Sequence, residues 1–239
     1  MAAWFSLDGV DSRDVGIHVK EYPPRVMPKR LGVTAKMTGA PPMHMWQGAY
    51  GYEEMMLTVE IHIDGGAVPE AVAAFLQPED REIVFGDEAQ YRYFGRLEDQ
   101  LEMDKVMRGR LPRIATLNLK CSPFKQLAYP GGAEEITAPV VLEHPGTARS
   151  YPRIRVYGSG EGSIFFRGTD EFAVKNLAAG EALVIDSGAM LCTDAEGKVD
   201  RSRDTEGDYP YLDPGENSIR FSGSIERIEI EPNWAWIGR

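Results

Sequence analysis

The sequence predicts a mainly β protein in two domains, and three observations carry that expectation. Residues Leu57 to Asp64 alternate apolar and polar, with Leu57, Val59, Ile61 and Ile63 on one side, the period of a strand with one buried face. One stretch alone, Val68 to Leu76, is convincingly helical: Pro69 suits a first turn, and Val68, Val72, Phe75 and Leu76 share a face. From Pro139 to Gly162 the chain passes through a joint dense in Pro and Gly, PVVLEHPGTARSYPRIRVYGSGEG, residues that sit badly inside a central strand. Strands mixed with the helix precede the joint, and short strands alone follow it. The expected domains are 1–136 and 137–239.

In order along the chain, Trp4 to Leu7 reads as a strand entering an Asp8-Gly9 turn, where Gly supplies a positive φ. Val15 to Val19 is a second strand. The prolines of Tyr22 to Pro28 keep the next segment extended and unpaired. Residues 37–45, MTGAPPMHM, read as an irregular arm. Met37, Met43, Met45 and Trp46 make it a candidate subunit-interface arm, since Met adapts to irregular contacts and Trp anchors interfaces. A loop tucked onto its own domain is the equal alternative. After the helix, Ile83–Phe85 and Tyr91–Leu97 read as a hairpin with aromatic cross-strand partners. A basic loop with Lys105, Arg108, Arg110 and Arg113 leads to a strand ending at Cys121.

In the second half, Ile154–Tyr157, Ser163–Phe166, Phe172–Leu177, Ala182–Ile185 and Met190–Thr193 are short runs separated by turn residues. A long polar stretch, 194–217, precedes two more, Ser218–Ser222 and Ser224–Pro232. This spacing suggests a sandwich or jelly roll, with Trp234 and Trp236 capping its core.

No chemical site is expected. The net charge of −11 argues against a protein that grips nucleic acid through phosphates. No apolar run approaches the ~20 residues that cross a bilayer, and no signal peptide is evident, so a soluble protein made in a cytoplasm is expected. Cys121 and Cys192 lie far apart on apolar patterns and read as buried free thiols. His18, His44, His62 and His144 are scattered, and His62 falls on the polar side of its strand, a solvent histidine rather than a metal ligand. Asp194 to Asp200 has some likeness to a calcium loop but lacks its position-5 ligand and terminal glutamate. Gly158 to Gly162 joins two strands, whereas a phosphate cradle needs a helix behind it. There is no G-x-S-x-G and no catalytic cysteine signature. Neither enzyme activity nor a cofactor or metal is expected.

Five segments together carry a family likeness. FSLDGVDSRDVGIHVKEYPPRVMPKR at the start, WQGAY (Trp46 to Tyr50) and CSPFKQ (Cys121 to Gln126) fall in the first half; HPGTARSYPRIRVYGSGEGSI and GDYPYLDPGENSI (Gly207 to Ile219) fall in the second. In this order they resemble siphophage distal tail (Dit) proteins over nearly the whole chain. Two departures are visible. Thr38-Gly39-Ala40-Pro41-Pro42 stands where many members carry a glycine-rich turn, and His144 replaces the usual Asn.

The resemblance implies a split-barrel-like N-terminal β domain that forms a ring, usually a hexamer, and a galectin-like C-terminal sandwich outside it. It implies a structural virion protein of the tail tip, assembled in the host cytoplasm. Its partners would be further copies of itself, the tail tube protein, the baseplate hub or tail-associated fibre protein, and the tape measure or a receptor-binding protein, with no stable nucleic-acid binding and no membrane insertion. Six copies would carry strong negative charge, which would let DNA pass without sticking. The alternative from another class is a carbohydrate-binding β-sandwich that shows Tyr209, Tyr211 or Trp234 to a host-surface glycan; the blander reading packs these aromatics in the core. A β-jelly-roll glycosidase is the least favoured.

Overall fold

Alternation in the sequence becomes antiparallel pairing in the structure, a computed structural model that describes residues 3–35, 43–46, 48, 51–98, 103–104, 113–129, 131–168 and 170–239. For 34–35, 43–46, 103–104 and 113 it describes the backbone course only. The chain forms two compact units, one from residues 1–129 with 237–239, the other from 130–236.

The first unit contains β1 (Phe5–Leu7), β2 (Val10–Asp11), β3 (Ile17–Glu21), β4 (Gly32–Ala35), β5 (Met43–Trp46), β6 (Met55–Ile63), α1 (Pro69–Phe75), β7 (Arg81–Phe85), β8 (Tyr91–Leu97), β9 (Met103–Asp104), β10 (Arg113–Cys121) and β11 (Phe124–Leu127). Its main sheet runs β2-β1-β7-β8-β10-β6-β3. The longest ladder joins β6 to β10, with Val59 opposite Leu117 and Leu57 opposite Leu119. Period 2 sends Leu57, Val59, Ile61 and Leu117 into one core, where each is fully buried; each such side chain stabilises by roughly 1.5–3 kcal/mol relative to exposure. Helix α1 closes that core with Val72 and Phe75, the latter's ring 5.6 Å from that of Phe5. Val68, expected on the buried face, is the exposed residue ahead of the helix, because Pro69 begins the first turn. Val15, expected to open a strand, lies instead in a 3-10 turn that ends at Gly16 (φ 76°). The expected hairpin is β7–β8, with Ile83 opposite Tyr93 and the rings of Phe85 and Tyr93 5.6 Å apart.

The second unit contains β12 (Glu134–Ile136), β13 (Val140–His144), β14 (Arg153–Phe166), β15 (Asp170–Leu177), β16 (Ala182–Asp186), β17 (Leu191–Asp194), β18 (Thr205–Glu206) and β19 (Gly215–Glu231); β20 (Ala235–Ile237) ends the series. Strands β14 and β19, of 14 and 17 residues, lie side by side and are shared by both layers of the fold. The first half of β14 pairs with β16, the second with β15; β19 likewise takes β12 at one end and β13 at the other. The two layers enclose one core containing Ile154, Val156, Ile164, Phe172, Ile219 and Ile228.

Four short strands expected from the sequence are thus two long ones. Glycine signals a close approach here rather than a chain-reversing turn. A Cβ on Gly158 would stand 2.1 Å from the Ser224 carbonyl oxygen, and one on Gly223 (φ 75°) 2.6 Å from that of Glu161. Side chains at these positions would force the strands apart where the register shifts and the sheet bends.

Residues 134–136, expected in the first domain, pair with β19, Ile136 opposite Ile228, and Ile136 is buried in the second core. Residues 237–239, expected in the second, lie with the first unit. Trp234 is half-buried against the second core. Cys121 and Cys192 are free and buried, one in each unit, and burial pushes the Cys121 thiol up to about 12.

Candidate functional site

The arm is a two-stranded ladder. β4 and β5 pair only with each other among the described residues, Gly32 opposite Trp46 and Ala35 opposite Met43. Part of the segment expected to be irregular is therefore a regular strand. Its root is tied to residues 51–53: Leu31 N–H donates to Gly51 O and Glu53 N–H to Lys29 O, each at 2.8 Å, and Lys29 pairs with Glu53 at 2.8 Å. Val33 on β4 is 67% exposed. Met43, Met45 and Trp46 lie on β5; Met37, and the basic residues Lys105, Arg108 and Arg110, lie outside the described residues.

Ahead of the arm, the Tyr22 hydroxyl donates to the Trp4 carbonyl and accepts from its N–H, at 3.2 and 3.0 Å. Arg239 is buried beside this segment. Its guanidinium donates through Nη1 to the Pro23 carbonyl and through Nη2 to both carboxylate oxygens of Asp87, at 2.7 and 2.8 Å, and it lies 4.9 Å from the centre of the Phe85 ring. Close by, the Tyr93 hydroxyl donates to Glu88 at 2.7 Å and Lys125 pairs with Glu88 at 3.3 Å, all three buried. Burial pushes the Glu88 carboxyl up, but the Tyr93 hydroxyl and Lys125 outweigh it and hold the group below the ordinary carboxylate range. Burial and the Glu88 bond push the Tyr93 phenol well up. The sequence carries no signal for this cluster, because Asp87 and Arg239 stand 152 positions apart.

The fold also gathers two of the scattered histidines. His18 and His62 are directly opposite on β3 and β6, with rings 5.3 Å apart. Both reach Asp64, His18 Nε2 at 3.0 Å and His62 Nε2 at 3.2 Å. Among the described residues no group of three or more ligating side chains could hold a metal. In the second unit, His144 Nδ1 accepts from Gly146 N–H at 2.8 Å, its ring packs 4.6 Å from Trp234, and burial lowers its pKa. Histidine thus closes a turn there.

The GDYPYLDPGENSI segment holds itself in shape. The Arg149 and Arg167 guanidiniums cover the Tyr211 ring at 3.5 and 3.4 Å, and Arg149 pairs with Asp213 at 3.0 Å. Buried Asn217 donates to the carbonyls of Asp213 (2.7 Å) and Gly215 (2.9 Å) and accepts from Asp213 N–H (2.9 Å). Next to it opens a cleft of about 420 Å³, lined by Arg167, Asp170, Glu171, Asp208, Tyr209 and Tyr211 among others. Its aromatics are engaged: Tyr211 stacks on guanidinium, and Tyr209 packs on Phe172 with centroids 5.5 Å apart. Asp194 spends its carboxylate on the amides of Lys198 (2.7 Å) and Val199 (3.2 Å), the geometry of a turn.

No family model and no curated protein matches this chain. Among solved structures, the crystal structure of the SPP1 Dit protein, described as a paradigm of the hub adsorption apparatus in phages infecting Gram-positive bacteria, superposes with a TM-score of 0.73 at 17% identity. The match covers 97% of this chain and 99% of that one. The fold is that of a distal tail protein. A chain of the phage p2 baseplate, in its activated conformation with strontium, is a more distant neighbour, at a TM-score of 0.50 and 7% identity over 96% of this chain and 98% of that one. The mainly β architecture expected from the sequence is the Dit architecture.

Proposed function

We propose that this protein is a non-enzymatic structural component of a long non-contractile phage tail, forming a ring of six copies at the tail tip. The ring joins the tail tube protein to the baseplate hub or fibre protein and lets DNA pass; the tape measure and a receptor-binding protein are further candidate neighbours. The observation that carries this reading is the Dit fold over 97% of the chain. A two-stranded arm with no other ladder partner among the described residues supports it, since an unpaired edge is a template for another chain. Met37, Met43, Met45 and Trp46 stay proposed for that contact.

The acidity needs a different account from the one the whole chain suggests. Residues 1–129 with 237–239 hold 18 acidic and 16 basic residues, a formal −2, whereas 130–236 hold 19 and 10, a formal −9. The proposed ring-forming unit is nearly neutral, so passage of DNA would rest on weak attraction rather than strong repulsion.

Light scattering over a concentration series, with negative-stain images, tests the ring. The expected particle has a central hole and a mass near six times 26.6 kDa. A monomer at every concentration, and no ring on mixing with tail tube protein, would sink the proposal.

The cleft favours one second reading, glycan binding by the second unit. Against it, both faces of Tyr211 are covered by guanidiniums, so that ring offers a sugar no stacking face. Binding on a glycan array that Glu171→Ala or Asp208→Ala abolishes would establish it.

A further inference from the structure

Residues 237–239 lie with the first unit although the 107 residues before them, 130–236, form the second. What they bring is specific. Gly238 N–H donates to Pro123 O at 2.9 Å, and Arg239 N–H donates to Val26 O at 2.8 Å. The Arg239 side chain, 2% exposed, donates through Nη1 to Pro23 O and through Nη2 to Asp87. Gly238 has φ 78°, and a Cβ there would stand 2.8 Å from Val26 O, so glycine is what lets the two backbones meet.

Two of the three carbonyls reached, those of Pro23 and Val26, belong to the proline-rich segment 22–28, which contains no strand. Three of its residues, Pro23, Pro24 and Pro28, have no N–H to give to a ladder. Its course must be set by side chains and by other segments. Tyr22 ties its start to Trp4, and the Lys29–Leu31 pairing with 51–53 ties its far end at the root of β4. Between those two ties, 238–239 hold the middle. A buried guanidinium must be paired and hydrogen-bonded to be tolerated; Asp87 pairs the charge, and the hydrogen bond from Nη1 to the Pro23 carbonyl is made only when the segment follows this course.

We propose that residues 237–239 are a strap that positions the arm. Seated, the strap fixes the path of 22–31 and so the direction in which β4 and β5 leave the unit. Arg239 is a positioning residue that acts on the arm through Pro23 and Val26. The consequence for ring assembly rests on the proposed ring-forming function; the positioning does not.

The test uses the full-length chain with Arg239→Ala, Arg239→Lys and Gly238→Val, read by hydrogen exchange and light scattering. The Ala and Val variants are expected to speed exchange across 25–35 at least tenfold while leaving the β6–β10 ladder unchanged. They should also raise the protein concentration at half-assembly at least tenfold. Arg239→Lys falls between, because an ammonium keeps the charge but loses the planar pair of nitrogens that reach Pro23 and Asp87 together. Unchanged exchange at 25–35 overturns the strap, as does equal acceleration in β6–β10, which would make Arg239 a general stabiliser. If exchange changes as expected but wild-type protein never assembles, alone or with tail tube protein, the strap stands and the ring-forming reading falls.

Discussion

The two units solve the same problem, closing a β core, in different ways. The first stacks short and medium strands, closes them with helix α1 and completes itself with charges taken out of water: Glu88 with Lys125 and the Tyr93 hydroxyl, all buried, and buried Arg239 reaching the more exposed Asp87. The second bends two long strands through glycines, so that one pair of strands serves both layers. Among its described residues no buried ion pair stands at the bend, and the unit carries most of the net negative charge. The lesson is about where specificity sits. In the first unit it lies in charges brought together from distant positions; in the second it lies in the absence of side chains at a few backbone crossings.

Three substitutions would break or sharpen this contrast. The largest effect is expected from Ile61→Ala, which empties fully buried space in the first core and should cost that unit about 2–5 kcal/mol. Calorimetry should show one transition falling and a second unmoved; equal movement of both would mean that the units do not melt separately. Next is Gly158→Ala, whose new Cβ meets the Ser224 carbonyl at 2.1 Å. An overpacking cost of about 1–3 kcal/mol should fall on the second unit alone, and an unchanged melting temperature would show that the bend does not depend on that crossing.

A comparable effect, about 1–3 kcal/mol at neutral pH, is expected from Glu88→Gln, which weakens a charged hydrogen bond and leaves buried Lys125 without its counter-ion. Because the Glu88 carboxyl is held below its ordinary value, its stabilisation is fully present above the unfolded-state pKa and is lost as pH falls through the folded one. Melting temperatures of wild type and variant should therefore differ at pH 7 and converge in acid. A gap that stays constant with pH would show that Glu88 does not contribute through its charge.

Much of the fold was legible because local periodicity decided it. The alternation of Leu57 to Ile63 needed a ladder and found one in β10, and Pro69 and Pro78 bracketed the helix. The family likeness of the GDYPYLDPGENSI segment was legible too, although its residues turn out to brace a loop: Asn217 ties its backbone and Tyr211 sits between two arginines. Strand continuity at Gly158–Gly162 was not legible, since a glycine that permits close approach reads the same as one that permits a turn. The His18–His62–Asp64 cluster was equally hidden, because cross-strand register is a non-local choice.

The sequence by itself determined the β class, helix α1, the burial of Cys121 and Cys192 and the resemblance to distal tail proteins. These follow from residue type and short-range spacing, which act within a few positions of the chain. Tertiary structure alone decided that 134–136 join the second unit, that 237–239 return to the first, and that Arg239 meets Asp87. Those choices depend on which distant surfaces become neighbours once the cores have formed, and no local pattern encodes them.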